Sequence, residues 1–196
     1  MSEEINKTLP QFWQDFLIKE FERETDRAAV VLTASLFDNA IGNLLKKFLL
    51  PSSGDQDELF DVPNSPLGSF HSKIQTTLRL GLISQRFARD LNLIRKIRNE
   101  FAHNVSHVNL DEGRVKDYLT TLLSSSDIIR KNPRARSIHP SGSRGDFLMI
   151  AGIMLFHVNS LIEDPIDSIK SIADEWIYSW VYKGKEQQLP SPEVVK

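Results

Sequence analysis

The chain has 196 residues, of which 40% are hydrophobic and 26% charged, with a formal net charge of -2. That suits one domain with a sizeable core and excludes a wholly disordered chain, a fibrous repeat and a global polycation, so any nucleic-acid surface has to be a local patch. Cysteine is absent, which excludes disulfides, Cys-containing zinc sites and thiol catalysis, and the five His residues form no HExxH and no tight His/carboxylate cluster, so neither a metal nor a cofactor is expected.

The first residues, Met1-Ser2-Glu3-Glu4, are polar and acidic and do not read as a signal peptide. A first helix is expected over residues 10–24, with Pro10 in its first turn and a loose apolar face of Phe12, Phe16, Leu17, Ile18 and Phe21. The second helix has the clearest pattern. Thr25 or Asp26 can cap it, and Val30, Val31, Ala34, Phe37, Ile41, Leu44, Leu45 and Phe48 recur at three- and four-residue spacing before Pro51. Asp38 lies on the edge of that apolar arc, an unusual place for a carboxylate.

Residues 51–65 read as an acidic loop without the EF-hand arrangement. A helix is expected from Ser65-Pro66 to the Gly81 turn, then a long one from Ser84 to about Asn104 with a stripe of Phe87, Leu91, Ile94, Ile97, Phe101 and Val105. Asp111 is placed to cap a shorter helix to Leu123. Residues 124–145 form a Ser-, Pro- and Gly-containing connection whose end, His139-Pro140-Ser141-Gly142-Ser143-Arg144-Gly145, has the makings of an anion-binding loop but lacks the Gly-Lys-Ser/Thr of a P-loop. A helix from about Asp146 to Glu163 follows, and Pro165 opens a last one through Trp176 and Trp180. The longest apolar run, 147–158, is too short to span a bilayer, so a cytoplasmic protein without a membrane partner is expected. The expected fold is all-α: one bundle-like domain of six to seven helices over 1–182, with a flexible tail over 183–196.

Arg98 is the anomaly in this pattern. At about 100° per residue it projects within the apolar stripe of the 84–104 helix, where a cation needs an anionic partner or a functional reason. Asp38 is the best partner available, so the second helix is expected to pack on this one and bring Asp38 to Arg98. Asn99 and His103 share a flanking polar face. On a straight helix His103 points about 140° away from Arg98. The two then meet on one phosphate only if the helix kinks or ends there, or if a second subunit supplies one of them. Basic residues gather nearby: Lys73, Arg79, Arg86, Arg89, Arg95, Lys96 and Arg98, and then Arg130, Lys131, Arg134, Arg136 and Arg144. Arg86, Arg89, Arg95 and Lys96 are the candidates for a nucleic-acid footprint, set against the reading of these charges as solvated helix faces.

Four segments carry a family resemblance. They are Val31-Leu32-Thr33-Ala34-Ser35-Leu36-Phe37-Asp38-Asn39-Ala40, Pro66-Leu67-Gly68-Ser69-Phe70-His71-Ser72-Lys73-Ile74, Leu80-Gly81-Leu82-Ile83, and residues 90–103, which end in Arg98-Asn99-Glu100-Phe101-Ala102-His103. Their order and spacing over about 27–111 resemble the MltR (mannitol operon repressor) family. The resemblance implies an all-α fold, a homodimer or other oligomer, and a role in transcriptional repression, with no helix-turn-helix to imply direct DNA contact. More distantly, Arg98-Asn99-x3-His103 resembles the Arg-x4-6-His signature of the HEPN superfamily. That would imply a metal-independent ribonuclease working as a dimer, with His103 activating the ribose 2′-hydroxyl or protonating the leaving oxygen, Arg98 on the scissile phosphate and Asn99 orienting one of them. The first expectation is an MltR-like regulator that contacts a regulatory protein or a nucleic acid, DNA or RNA, and does no chemistry. The alternatives are the HEPN-type ribonuclease and a helical interaction module whose motif is purely structural.

Overall fold

The computed structural model describes residues 21, 24–52, 54–104, 108–125 and 142–163. The helices expected over 10–24 and from Pro165, the Trp176/Trp180 pair, the tail and the basic residues between 130 and 136 lie outside these residues, apart from Phe21, which is helical and buried, and Glu24, which is an exposed bend. Five helices and no strand occur among the described residues, which gives the expected all-α class but does not match the count of six to seven.

Helix α1 spans Asp26–Phe48. The Thr25 hydroxyl accepts from the Ala28 N–H at 3.2 Å, settling the choice of cap, and Lys46 and Lys47 in the last turn oppose the negative end of the dipole. Its buried face is built from Val30, Ala34, Phe37, Ile41, Leu44 and Leu45. Helix α2 spans Phe70–Arg79 and begins later than expected from Pro66. The cause is a capping box in which Ser69 and Ser72 satisfy one another's backbone N–H groups, while residues 59–68 fold into turns tied by the Leu67 N–H to the Leu59 carbonyl at 2.8 Å. Gly81, at φ 72°, makes the left-handed turn that releases the chain into α3.

Helix α3 spans Gln85–His103, capped by Ser84, whose hydroxyl accepts from the Phe87 N–H at 3.1 Å. Phe87, Leu91, Ile94, Ile97 and Phe101 of the anticipated stripe are buried, and Val105 lies outside the described residues. Helix α4 spans Gly113–Ser124, and its cap position is Glu112, which makes no side-chain cap bond. Asp111 does not cap it; its carboxylate accepts from the Ser143 hydroxyl at 2.6 Å and joins the start of α4 to the start of the last helix. That helix, α5, spans Ser143–Glu163 and is apolar nearly all round. Such a helix belongs in a core.

Helix α1 is the hub, packing on α2, α3 and α5, while α4 closes the bundle against α3 and α5. Two helices, Asp26–Phe48 and Gly142–Glu163, are long and apolar enough to cross a membrane by length and composition, contrary to the expectation from the 147–158 run alone. Here most of their apolar residues are core residues, packed between the two helices and their neighbours, while Leu32, Leu36 and Phe48 of α1 are exposed.

Two glycines show how tightly α1 and the 59–68 turns are fitted. At Gly42 on α1 a Cβ would stand 3.7 Å from the Lys73 side chain, an ordinary contact, whereas at Gly68 it would come within 2.5 Å of Ser65 Oγ, which is held by its bond to the Phe60 carbonyl. Gly42→Ala should therefore raise the unfolding free energy by about 0.5–1 kcal/mol and Gly68→Ala should lower it, as urea titration would show; a loss at Gly42 would mean that α1 and α2 sit closer than described.

His157, in edge-on contact with Phe87 at 5.2 Å between ring centroids, is buried on α5, and that burial lowers its pKa from 6.5 to about 4. The folded state then binds fewer protons than the unfolded state between those two values. Its contribution is complete above pH 6.5 and is lost as pH falls toward 4, a total of about 3 kcal/mol at 1.36 kcal/mol per unit. Buried Asp90 acts in the opposite sense, because desolvation raises its pKa and its folded form is favoured at low pH. Stability measured against pH for the parent and for His157→Leu separates the two: the variant should lose the decline between pH 6.5 and 4, and parallel curves would contradict a neutral, buried His157.

Candidate functional site

Three segments of chain converge to form a cleft of about 370 Å³. Helix α1 contributes Ala34, Ser35 and Asp38, the entry to α2 contributes Gly68, Ser69, Phe70 and His71, and α3 contributes Arg95, Arg98 and Asn99. The small side chains of Ala34, Ser35, Gly68 and Ser69 keep α1 and the turn from filling this space. That explains the position of Arg98. It does lie on the apolar side of α3 by angle, but here the core gives way to an open notch, and Arg98 is exposed rather than sunk among its apolar neighbours.

The expected Asp38–Arg98 ion pair is not formed. Asp38 lines the same cleft, but its carboxylate is bound to Lys73 Nζ at 2.8 Å, and Lys73 also reaches the Asp38 carbonyl at 3.5 Å. The competition is settled by burial: the Lys73 side chain is 12% exposed, its stem laid over Gly42, so an ammonium drawn that far from water takes the nearest carboxylate. Arg98 instead donates from Nη1 to Asn99 Oδ1 at 3.2 Å, and Arg95 donates from Nε to Asn92 Oδ1 at 3.2 Å. Neither arginine is ion-paired to a carboxylate among the described residues.

His103 is elsewhere. It is exposed in the last turn of α3 and does not line the cleft. That helix end is clamped by Arg27 of α1, which donates to the Phe101 carbonyl and, at 2.8 Å, to the Asn104 carbonyl. A cation on these orphan carbonyls is the expected arrangement for a helix C-terminus. The Arg98–Asn99–His103 set is thus divided within one chain, with Arg98 and Asn99 in the cleft and His103 outside it.

The other basic candidates separate in the same way. Arg86 donates to the Ser125 carbonyl at 3.3 Å, and Arg89 pairs with Asp90 at 3.0 Å and also bonds the Ser125 hydroxyl. Asp90 is wholly buried and accepts from Ser125 Oγ at 2.9 Å, so this cluster fastens the end of α4 to α3. Lys96 sits over the Tyr118 ring, 5.5 Å from its centroid. Of the four nucleic-acid candidates, Arg86, Arg89 and Lys96 therefore face α4, and Arg95 faces the cleft. Arg144 is a structural clamp: it donates to the Phe21 and Glu24 carbonyls at 2.6 Å each and pairs with Asp26 at 3.3 Å.

Sequence reasoning missed Lys73 as the partner of Asp38 and His71 as a wall of the cleft. A signal for Lys73 was present: it stands four residues before Thr77, which is buried, so helical spacing puts it on the inward side of α2. Nothing in the spacing distinguishes His71.

The frame that holds this cleft is an all-helical bundle centred on α1. Neither a protein-family model nor a curated protein matches the chain at a significant level. Among solved structures, a chain of the MtlR–HPr complex from Escherichia coli is similar to it, with a TM-score of 0.54 and 16% identity, covering 78% of this chain and 99% of that one. At that identity the likeness is one of fold.

Proposed function

We propose that this protein is a non-catalytic regulator of the MltR type that works by binding a partner protein. The observation that carries the reading is where the MltR-like segments go. Every residue lining the cleft belongs to one of three of them, 31–40, 66–74 and 90–103, so three of the four segments that resemble the family meet at a single surface feature. The fold likeness to a chain of the MtlR–HPr complex supports the same reading and suggests a protein of the HPr kind as the partner. Within one chain His103 stands outside the cleft, so the ribonuclease alternative requires a second subunit to bring a His103 to Arg98, whereas the regulatory reading needs no such pairing.

Two assays on the purified full chain test this. Titration calorimetry with HPr from the same organism should show a stoichiometric complex, and its absence would contradict the proposed partner. Incubation with RNA in EDTA should give no cleavage. Cleavage that disappears in a folded His103→Ala variant would replace the regulator with a HEPN-type nuclease.

A further inference from the structure

We propose that the cleft between α1, the entry to α2 and α3 binds a small phosphate-bearing molecule. The inference goes beyond the regulatory reading and stands on the cleft alone. Arg95 and Arg98 lie three residues apart on α3, one turn along the same face, and both open into the cleft. Two like charges at that spacing repel, and among the described residues no carboxylate neutralises either. The single carboxylate in the lining, Asp38, is already matched by Lys73 at 2.8 Å. The cleft therefore carries a surplus of two positive charges.

The neutral partners of the two guanidinium groups matter as much as the missing anions. Asn92 and Asn99 each hold one N–H of a guanidinium without cancelling its charge, which orients the planar fork and leaves further donors for a ligand. Paired forks suit a dianionic phosphate, which has enough oxygens for both, better than a single carboxylate. The volume, about 370 Å³, lies in the range of small-molecule sites and exceeds the need of a bare ion, and Phe70 offers an apolar surface to an organic group. A polynucleotide is disfavoured because Arg86, Arg89 and Lys96, which would have to extend the track, are engaged on the α4 side of α3.

Calorimetric titration of the full chain with inorganic phosphate, phenyl phosphate, acetate and a single-stranded oligonucleotide tests the proposal. Inorganic phosphate or phenyl phosphate should bind saturably at one site per chain, with acetate weaker by about tenfold or more; whichever phosphate binds tighter tells the free ion from the ester. Arg95→Gln and Arg98→Gln should each reduce that affinity by about tenfold or more, since each removes charge-assisted bonds to the ligand. Arg114→Gln, at a position 78% exposed on α4, should leave it unchanged. Ser35→Phe adds bulk at an exposed lining position without altering charge and should also reduce binding, so the proposal stays open to refutation even if an arginine variant misfolds. Affinity equal to the parent in the folded Arg95→Gln, Arg98→Gln and Ser35→Phe proteins, or binding of the oligonucleotide alone, would overturn it. Complex formation with HPr is read separately, so either result can fail without the other.

Discussion

The ion pair between Asp38 and Lys73 is the interaction on which the site depends. It joins the hub helix α1 to α2 at 2.8 Å, with the lysine side chain almost wholly covered and laid along Gly42. A pair so placed gives up hydration on the lysine side and recovers it through a short, charge-assisted bond. Its second consequence is electrostatic. By taking the single carboxylate in the cleft lining, it leaves Arg95 and Arg98 with amide partners and a net positive cleft. Packing of α2 on α1 and the charge of the cleft are thus two results of one contact.

The remaining polar interactions hold helix ends in place. Arg27 fixes the C-terminus of α3 from the start of α1, Arg144 fixes the approach to α1 from the start of α5, and Asp111 meets Ser143 where α4 and α5 begin. At the other end of α4 the Asp90–Ser125–Arg89 cluster does the same. Arg27 and Arg144 place their charge on backbone carbonyls, and Asp111, Asp90 and Arg89 bond serine hydroxyls, in each case at or beside a helix end. Between these ends lies a continuous core of Phe37, Phe87, Phe101, Phe147 and the aliphatic residues around them. The cleft is the place where small residues on α1 and the entry to α2 interrupt that core, and so the fold leaves room at the position that the sequence marks with an arginine.

Much of the frame was legible in the chain itself. The apolar spacing of α1 and α3, the choice of Thr25 or Asp26 as a cap and the start at Ser84 locate those helices closely, because periodicity and capping are local properties. The start of α2 was misplaced because Pro66 resembles a first-turn proline, while the reciprocal bonds of Ser69 and Ser72 determine the cap. Asp38 and Arg98 were rightly drawn to one place but wrongly joined. A helical wheel gives the direction of a side chain and says nothing of what stands opposite. Only the path of α2 across Gly42 brings Lys73 close enough to claim the carboxylate. For the same reason Arg144, read from sequence as one more basic residue, emerges as a clamp on the approach to α1.

A double-mutant cycle by urea unfolding tests the central claim most directly, with Asp38→Asn combined in turn with Lys73→Met and with Arg98→Met. The account requires a coupling of about 1–3 kcal/mol between Asp38 and Lys73, the range for a part-buried, charge-assisted bond, and a coupling near zero between Asp38 and Arg98. The reverse pattern would return Asp38 to Arg98, cancel the positive surplus of the cleft and contradict the account at its base.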